Sequence, residues 1–178
     1  LNLVIVAPHF DDEFFAYTAI KREWPTQKFN IRAVFLTDSA KLPLLGKHEE
    51  FIEPKCFSQI RQEESRRFCL AHNIDPIFTT AIFPDGHLSE VPKTEVEDLL
   101  APWVRGANLF ILPEMNEHPD HDLASMLFEK LASRKYIVHN DDLPDDDEYQ
   151  RLVYKFKFWY PSQTNSFTPK TGAGYLKG

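Results

Sequence analysis

At 178 residues the chain is long enough for one well-buried core and too short for two ordinary domains. Hydrophobic residues make up 43% of it, with 15 Phe and 3 Trp, which excludes an intrinsically disordered chain, and no apolar run approaches the roughly 18–20 residues that span a bilayer. A net charge of −7 argues against nucleic acid as a partner, because binding its backbone needs clustered Lys and Arg, and it favours a neutral substrate.

The first apolar run, Leu3–Ala7, is short and stops at Pro8, as a strand buried on both faces does. A polar turn, His9-Phe10-Asp11-Asp12-Glu13, leads from it into a helical pattern over Glu13–Glu23. Ile31–Leu36 predicts a second strand and Ser58–Ala71 a helix with Ile60, Glu64 and Phe68 near one face. Cys56 and Cys69 fall in the same helical stretch, about 20 Å apart by helical rise and too distant to bridge, which fits a reducing compartment. Ile77–Ala81 predicts the third strand, Thr94–Val104 behind Pro92 a helix, and Leu109–Leu112 the fourth strand.

A second polar cluster, Asn116-Glu117-His118-Pro119-Asp120-His121, follows that fourth strand. Leu123, Met126, Leu127, Lys130 and Leu131 then recur at helical spacing, with Asp120 or Asp122 as N-cap. Lys135–His139 and the alternating Val153–Trp159 read as later strands, the last an antiparallel edge. Asp141–Glu148 reads as a solvated acidic loop, since the spacing and glycine of a calcium loop are missing. Strands alternating with helices predict one α/β domain over residues 1–178, with a mostly parallel sheet, helices on both faces and a ligand crevice at the carboxyl ends of the strands. No basic-then-apolar leader opens the chain, so a cytoplasmic location is expected; the start at Leu1 and the uncapped tail Thr171–Gly178 leave room for a longer natural chain.

Both polar clusters sit where strands should end, and their residue types suggest one metal site. His9 and Asp12 are spaced so that a turn can aim an imidazole and a carboxylate at one cation, and His121 supplies a third donor. Two nitrogens and one carboxylate with a position left open is the donor set of catalytic zinc, and ferrous iron uses the same ligand types. Asp11 cannot easily share the face used by Asp12, which makes it the candidate general base. His118 is a candidate to protonate a leaving amine or hold an oxyanion, with Asp120 orienting it. The duller alternatives are carboxylates 11–13 favouring a helix N-terminus, Asp120 as a mere N-cap and His121 as a surface residue. His48, His72, His87 and His139 lack a partner at a recognisable spacing and are expected to be structural or exposed.

These motifs resemble those of the PIG-L/LmbE-like de-N-acetylases, whose first motif is Pro-His-x-Asp-Asp-Glu and whose second is His-x-x-His. They stand here as Pro8–Glu13 and His118–His121; Arg61-Gln62-Glu63-Glu64, Pro84-Asp85-Gly86 and the region from Phe158 to Pro169 extend the resemblance over most of the chain. It implies a Rossmann-like three-layer fold, zinc held by His9, Asp12 and His121, Asp11 as base and His118 as acid or oxyanion partner. It also implies that Arg61 and Asp85 contact sugar hydroxyls, and that the reaction is hydrolysis of an acetamide on an amino sugar or glycan. From the residues alone, Arg61 reads as an intrahelical partner of Glu64 and Asp85 as a turn residue. The sequence departs from the family pattern at Phe10, at Ala16-Tyr17 and at Ser39-Ala40, where proline or glycine is commoner.

Three rivals are weaker. A receiver-like signalling domain needs a phosphoacceptor Asp at the end of the third strand, and dinucleotide binding needs a Gly-rich cradle that the first turn lacks. A non-catalytic sugar-binding module of the same fold has no need of all five metal and acid–base residues.

Overall fold

A computed structural model of the chain describes residues 1–41, 53–113, 115, 118–129, 135–138 and 146–163. Five strands, β1 (Asn2–Ala7), β2 (Asn30–Phe35), β3 (Ile74–Ile77), β4 (Leu109–Pro113) and β5 (Lys135–Val138), alternate with helices α1 (Asp12–Glu23), α2 (Pro54–Ala71), α3 (Lys93–Val104) and α4 (Pro119–Glu129); α5 (Asp146–Trp159) follows β5. The sheet order is β3-β2-β1-β4-β5 and every ladder is parallel. The fold is therefore Rossmann-like.

Alternation along the strands sends side chains to two separate cores. Leu3, Ile5, Ala7, Ala33, Phe35 and Ile111 pack with Phe14 and Ile20 of α1, Phe68 of α2 and Phe156 of α5. Val4, Val6, Val34, Leu36, Phe110 and Leu112 pack on the opposite face with Val96 and Leu100 of α3 and Leu123, Leu127 and Phe128 of α4. A strand covered on both sides has no reason to alternate in polarity, so β1 is apolar throughout its buried length.

The chain moves outward from β1 through β2 to β3 and then returns to lay β4 on the other side of β1. Such a reversal opens a crevice beyond the carboxyl ends of the two strands that flank it, here β1 and β4. The two polar clusters leave these neighbouring strands, which explains how residues more than a hundred positions apart meet.

Three expectations fail. Val153–Trp159 belongs to α5, so there is no antiparallel edge among the described residues. Leu152, Phe156 and Tyr160 are buried while Tyr154 and Phe158 stand in solvent, and a spacing of four repeats on a helix as well as on a strand. Residues 146–148 of the supposed acidic loop open the same helix. β3 begins at Ile74 rather than Ile77, with Phe78–Thr80 forming a 3-10 turn; Pro76 is tolerated because β3 is an edge strand. His48, Asn116, Glu117, Lys130, Leu131, His139, residues 141–145 and 164–178 lie outside the described residues. Cys56 and Cys69 are both free, and among the described residues no helix is long and apolar enough to cross a membrane.

Candidate active site

β1 delivers its motif through a tight turn. The Asp11 N–H donates to the His9 carbonyl at 3.1 Å, and Asp12, first residue of α1, accepts the His9 N–H through Oδ2 at 2.7 Å. On the β4 side α4 begins at Pro119, a position where the missing N–H costs nothing, and the Asp122 N–H closes the first turn onto the His118 carbonyl. Successive helical residues point about 100° apart. Asp120 thus turns inward and His121 turns toward the β1 motif.

His9, Asp12 and His121 come together as the sequence predicts. His9 Nδ1 lies 3.3 Å from His121 Nε2 and 3.5 Å from Asp12 Oδ2, and His121 Nε2 lies 3.4 Å from Asp12 Oδ1. Donors held about 2.0–2.1 Å from a tetrahedral zinc stand roughly 3.3–3.4 Å from one another. The residues present therefore fit such an ion. Burial alone would raise the Asp12 carboxyl, but the His121 and His9 rings hold it well below the usual carboxylate range, so it is an anion ready to ligate.

Asp120 does more than the contact with His118 that was expected of it. Its fully buried carboxylate accepts N–H groups from Gly86 at 2.7 Å and Leu88 at 2.9 Å, and Oδ2 lies 3.1 Å from His9 Nε2. Asp85 Oδ1 lies 3.3 Å from the same nitrogen. Two carboxylates on Nε2 keep its proton there and leave the Nδ1 lone pair facing His121 and Asp12, a hydrogen-bond pattern that orients metal-ligating histidines. Asp120→Asn is expected to weaken zinc binding by about 10–100-fold, the usual cost of losing such a partner; competition against a chromogenic chelator reads it, and an unchanged affinity would detach Asp120 from His9.

What Asp120 gives His118 is a backbone contact: its N–H donates to His118 Nδ1 at 3.3 Å. A neutral His118 with Nδ1 accepting carries its proton on Nε2. In the metal-free chain, burial first and then positive charge on His9 and His121 lower its pKa and favour that neutral form.

Asp11 makes its contact elsewhere, with Oδ2 3.3 Å from Arg61 Nη2. Burial raises its pKa against the pull of that guanidinium, with the Asp12 charge adding to the rise. Arg61 Nη1 donates to the Ser39 carbonyl at 3.1 Å and lies 3.8 Å from Asp85 Oδ2. Among the described residues Arg61 does not pair with Glu64, which instead accepts the Ser162 N–H at 2.8 Å and the Ser162 hydroxyl at 2.5 Å. Asp85 is a turn residue before left-handed Gly86, and it also faces the site.

Sequence reasoning missed the supports behind this layer. Glu13 is fully buried, and its Oε1 accepts the Tyr160 hydroxyl at 2.6 Å and the Ser65 hydroxyl, while Oε2 has no hydrogen-bond partner among the described residues. Burial pushes its pKa from 4.5 to about 8, so the native group is protonated near neutrality. A carboxyl raised on folding leaves stability intact below its unfolded value and loses it as pH climbs through the folded one. In metal-free protein, thermal stability should therefore fall between about 4.5 and about 8, and Glu13→Gln should remove most of that slope in melts taken across the range. Ser39 and Gln163 are further missed residues, and no motif spacing marks them. His87 pairs with Glu90 at the surface, and His72 packs among Tyr17, Phe68 and Trp159, as expected of histidines without a site role.

The PIG-L family model, GlcNAc-PI de-N-acetylase, matches residues 4–132, and the chain belongs to that family. No curated protein sequence matches it. Among solved structures it is similar to N,N'-diacetylchitobiose deacetylase from Pyrococcus horikoshii, at 16% identity and a TM-score of 0.63, covering 91% of this chain and 70% of that one. It is also similar to the zinc-inhibited form of teicoplanin deacetylase Orf2, at 14% identity and a TM-score of 0.59, covering 92% and 85%. GalB, a 4-carboxy-2-hydroxymuconate hydratase from Pseudomonas putida KT2440, has a similar fold at 13% identity and a TM-score of 0.55, covering 98% and 92%.

Proposed function

We propose that the protein is a metal-dependent hydrolase that removes an N-acetyl group from an amino sugar or glycoconjugate. The observation that carries this reading is the convergence of His9, Asp12 and His121 at tetrahedral-edge distances, with a second carboxylate, Asp11, held aside by Arg61. Zinc or ferrous iron in that set would supply Lewis acidity, making water nucleophilic near neutral pH and polarising the acyl carbonyl.

The chain's own residues supply the proton transfers and the orientation. Asp11, made more basic by burial, accepts the proton of the attacking water. His118 donates an Nε2–H hydrogen bond to the carbonyl oxygen as charge develops there, and the proton taken up by Asp11 passes to the departing nitrogen. Asp120 keeps His9 in its ligating tautomer. We assign sugar hydroxyls to Arg61 and Asp85, supported by their places beside Asp11 and His9. A shared fold does not decide chemistry, as the hydratase neighbour illustrates; the family match and the acid–base layout favour deacetylation.

The test is elemental analysis of purified protein, with His9→Ala as control, followed by acetate release from a panel of N-acetylated amino sugars. About one zinc or iron per chain, lost in the variant, with acetate released by the wild type, supports the assignment. Metal and sugar bound without acetate release would make the protein a sugar-binding module, and a folded chain that takes up no zinc would end the hydrolase reading.

A further inference from the structure

We propose that Gln163 and Ser39 are positioning residues that set where the Asp11 carboxylate stands. This inference rests on Asp11 acting as the base. Asp11 sits in a turn with φ 170° and ψ −20°, so the two peptides flanking Phe10 decide where its side chain points. Both are gripped by side chains from remote segments. The Phe10 N–H donates to Ser39 Oγ at 2.8 Å, and the Phe10 carbonyl, on the peptide shared with Asp11, accepts Gln163 Nε2–H at 2.9 Å.

Each grip is itself anchored. Ser39 holds a left-handed backbone, φ 51°, which costs any residue with a β-carbon and suits glycine. A glycine could not offer the hydroxyl that takes the Phe10 N–H. The Ser39 carbonyl also accepts Arg61 Nη1–H, and Arg61 Nη2 pairs with Asp11, so Ser39 reaches the base by two routes. Gln163 ends a 3-10 turn, Pro161–Gln163, whose neighbours are tied to both helices beside Asp11: Tyr160 to Glu13 of α1 and Ser162 to Glu64 of α2. Burying a glutamine in this core is costly unless its polar atoms are used, and the structure uses one on the Phe10 carbonyl.

The experiment compares wild type, Gln163→Leu and Ser39→Gly, each alone and in an Asp11→Asn background, using acetate release from N,N'-diacetylchitobiose and crystal structures of the zinc-loaded proteins. A misplacement on the order of 1 Å is worth up to about 100-fold, so each single variant should lose at least roughly tenfold in kcat with KM and zinc content held. Added to Asp11→Asn, neither should lower the residual rate more than about twofold, because residues that act through Asp11 cannot act without it. In Ser39→Gly the relief of the left-handed strain offsets the lost partner of the Phe10 N–H, so its melting temperature should stay within a few degrees of wild type while kcat falls, a combination that a purely structural role does not produce. If Gln163→Leu fails to fold, Ser39→Gly decides alone. Equal losses in both backgrounds would overturn the proposal. So would an unmoved Asp11 carboxylate, still paired with Arg61, in the variant crystals. The crystallographic comparison holds even if the wild type releases no acetate, an outcome that counts against the deacetylase reading instead.

Discussion

Asp11→Asn should leave zinc stoichiometry unchanged and lower kcat by about 10²–10⁴, the range general-base catalysis contributes. The substitution is close to isosteric, and Asp11 makes no contact with His121 or with the His9 ring nitrogens among the described interactions, so the ligand set is left standing. What disappears is the charge facing Arg61 and the ability to accept a proton. Asp11→Asn and Asp11→Ala both remove the charge facing Arg61 and the proton acceptor, and only the alanine also removes the side chain's hydrogen-bonding shape; if proton acceptance is what matters, both variants lose turnover alike while both keep their metal. Steady-state kinetics alongside elemental analysis reads the outcome. A variant within a few-fold of wild type would remove Asp11 as the base and leave Asp85 as the next carboxylate to test.

His121→Ala should abolish stoichiometric zinc binding, and with it turnover, while leaving the apo fold close to intact. His121 is only partly buried in the first turn of α4, and that helix is held to the sheet by Leu123, Leu127 and Phe128 on its other side. Removing the ring therefore costs little packing. It leaves His9 and Asp12 alone, too few donors to hold zinc against water. Because a ligand that binds only the native state raises its melting temperature, zinc should shift the wild type upward and leave His121→Ala where it was. A retained zinc shift would show that the His9, His118 and Asp120 grouping can hold the ion without His121.

Two of the differences between sequence and structure arise because a local pattern fits more than one partner. Val153–Trp159 satisfied a two-residue period because its aromatics fall at alternate positions, and every second such position is also a helical neighbour; only packing against α1 and α2 chose the helix. The sequence places Asp120 two residues from His118 and suggests that it orients that ring. In the folded chain its carboxylate reaches across to His9, while its backbone keeps His118.

The sequence by itself determined the donor types, the apolar runs that place them at strand ends, and the separation of Asp11 from Asp12. It did so because buried strands and catalytic donors both depend on local residue identity. Only the tertiary structure decided that β4 lies beside β1, that Asp120 serves His9, and that Ser39 and Gln163 grip the peptides around Phe10. Strands covered on both faces look alike in sequence, so their order is set by how whole helices pack on the sheet. Hydrogen bonds between residues 29 or 153 positions apart leave no spacing to read.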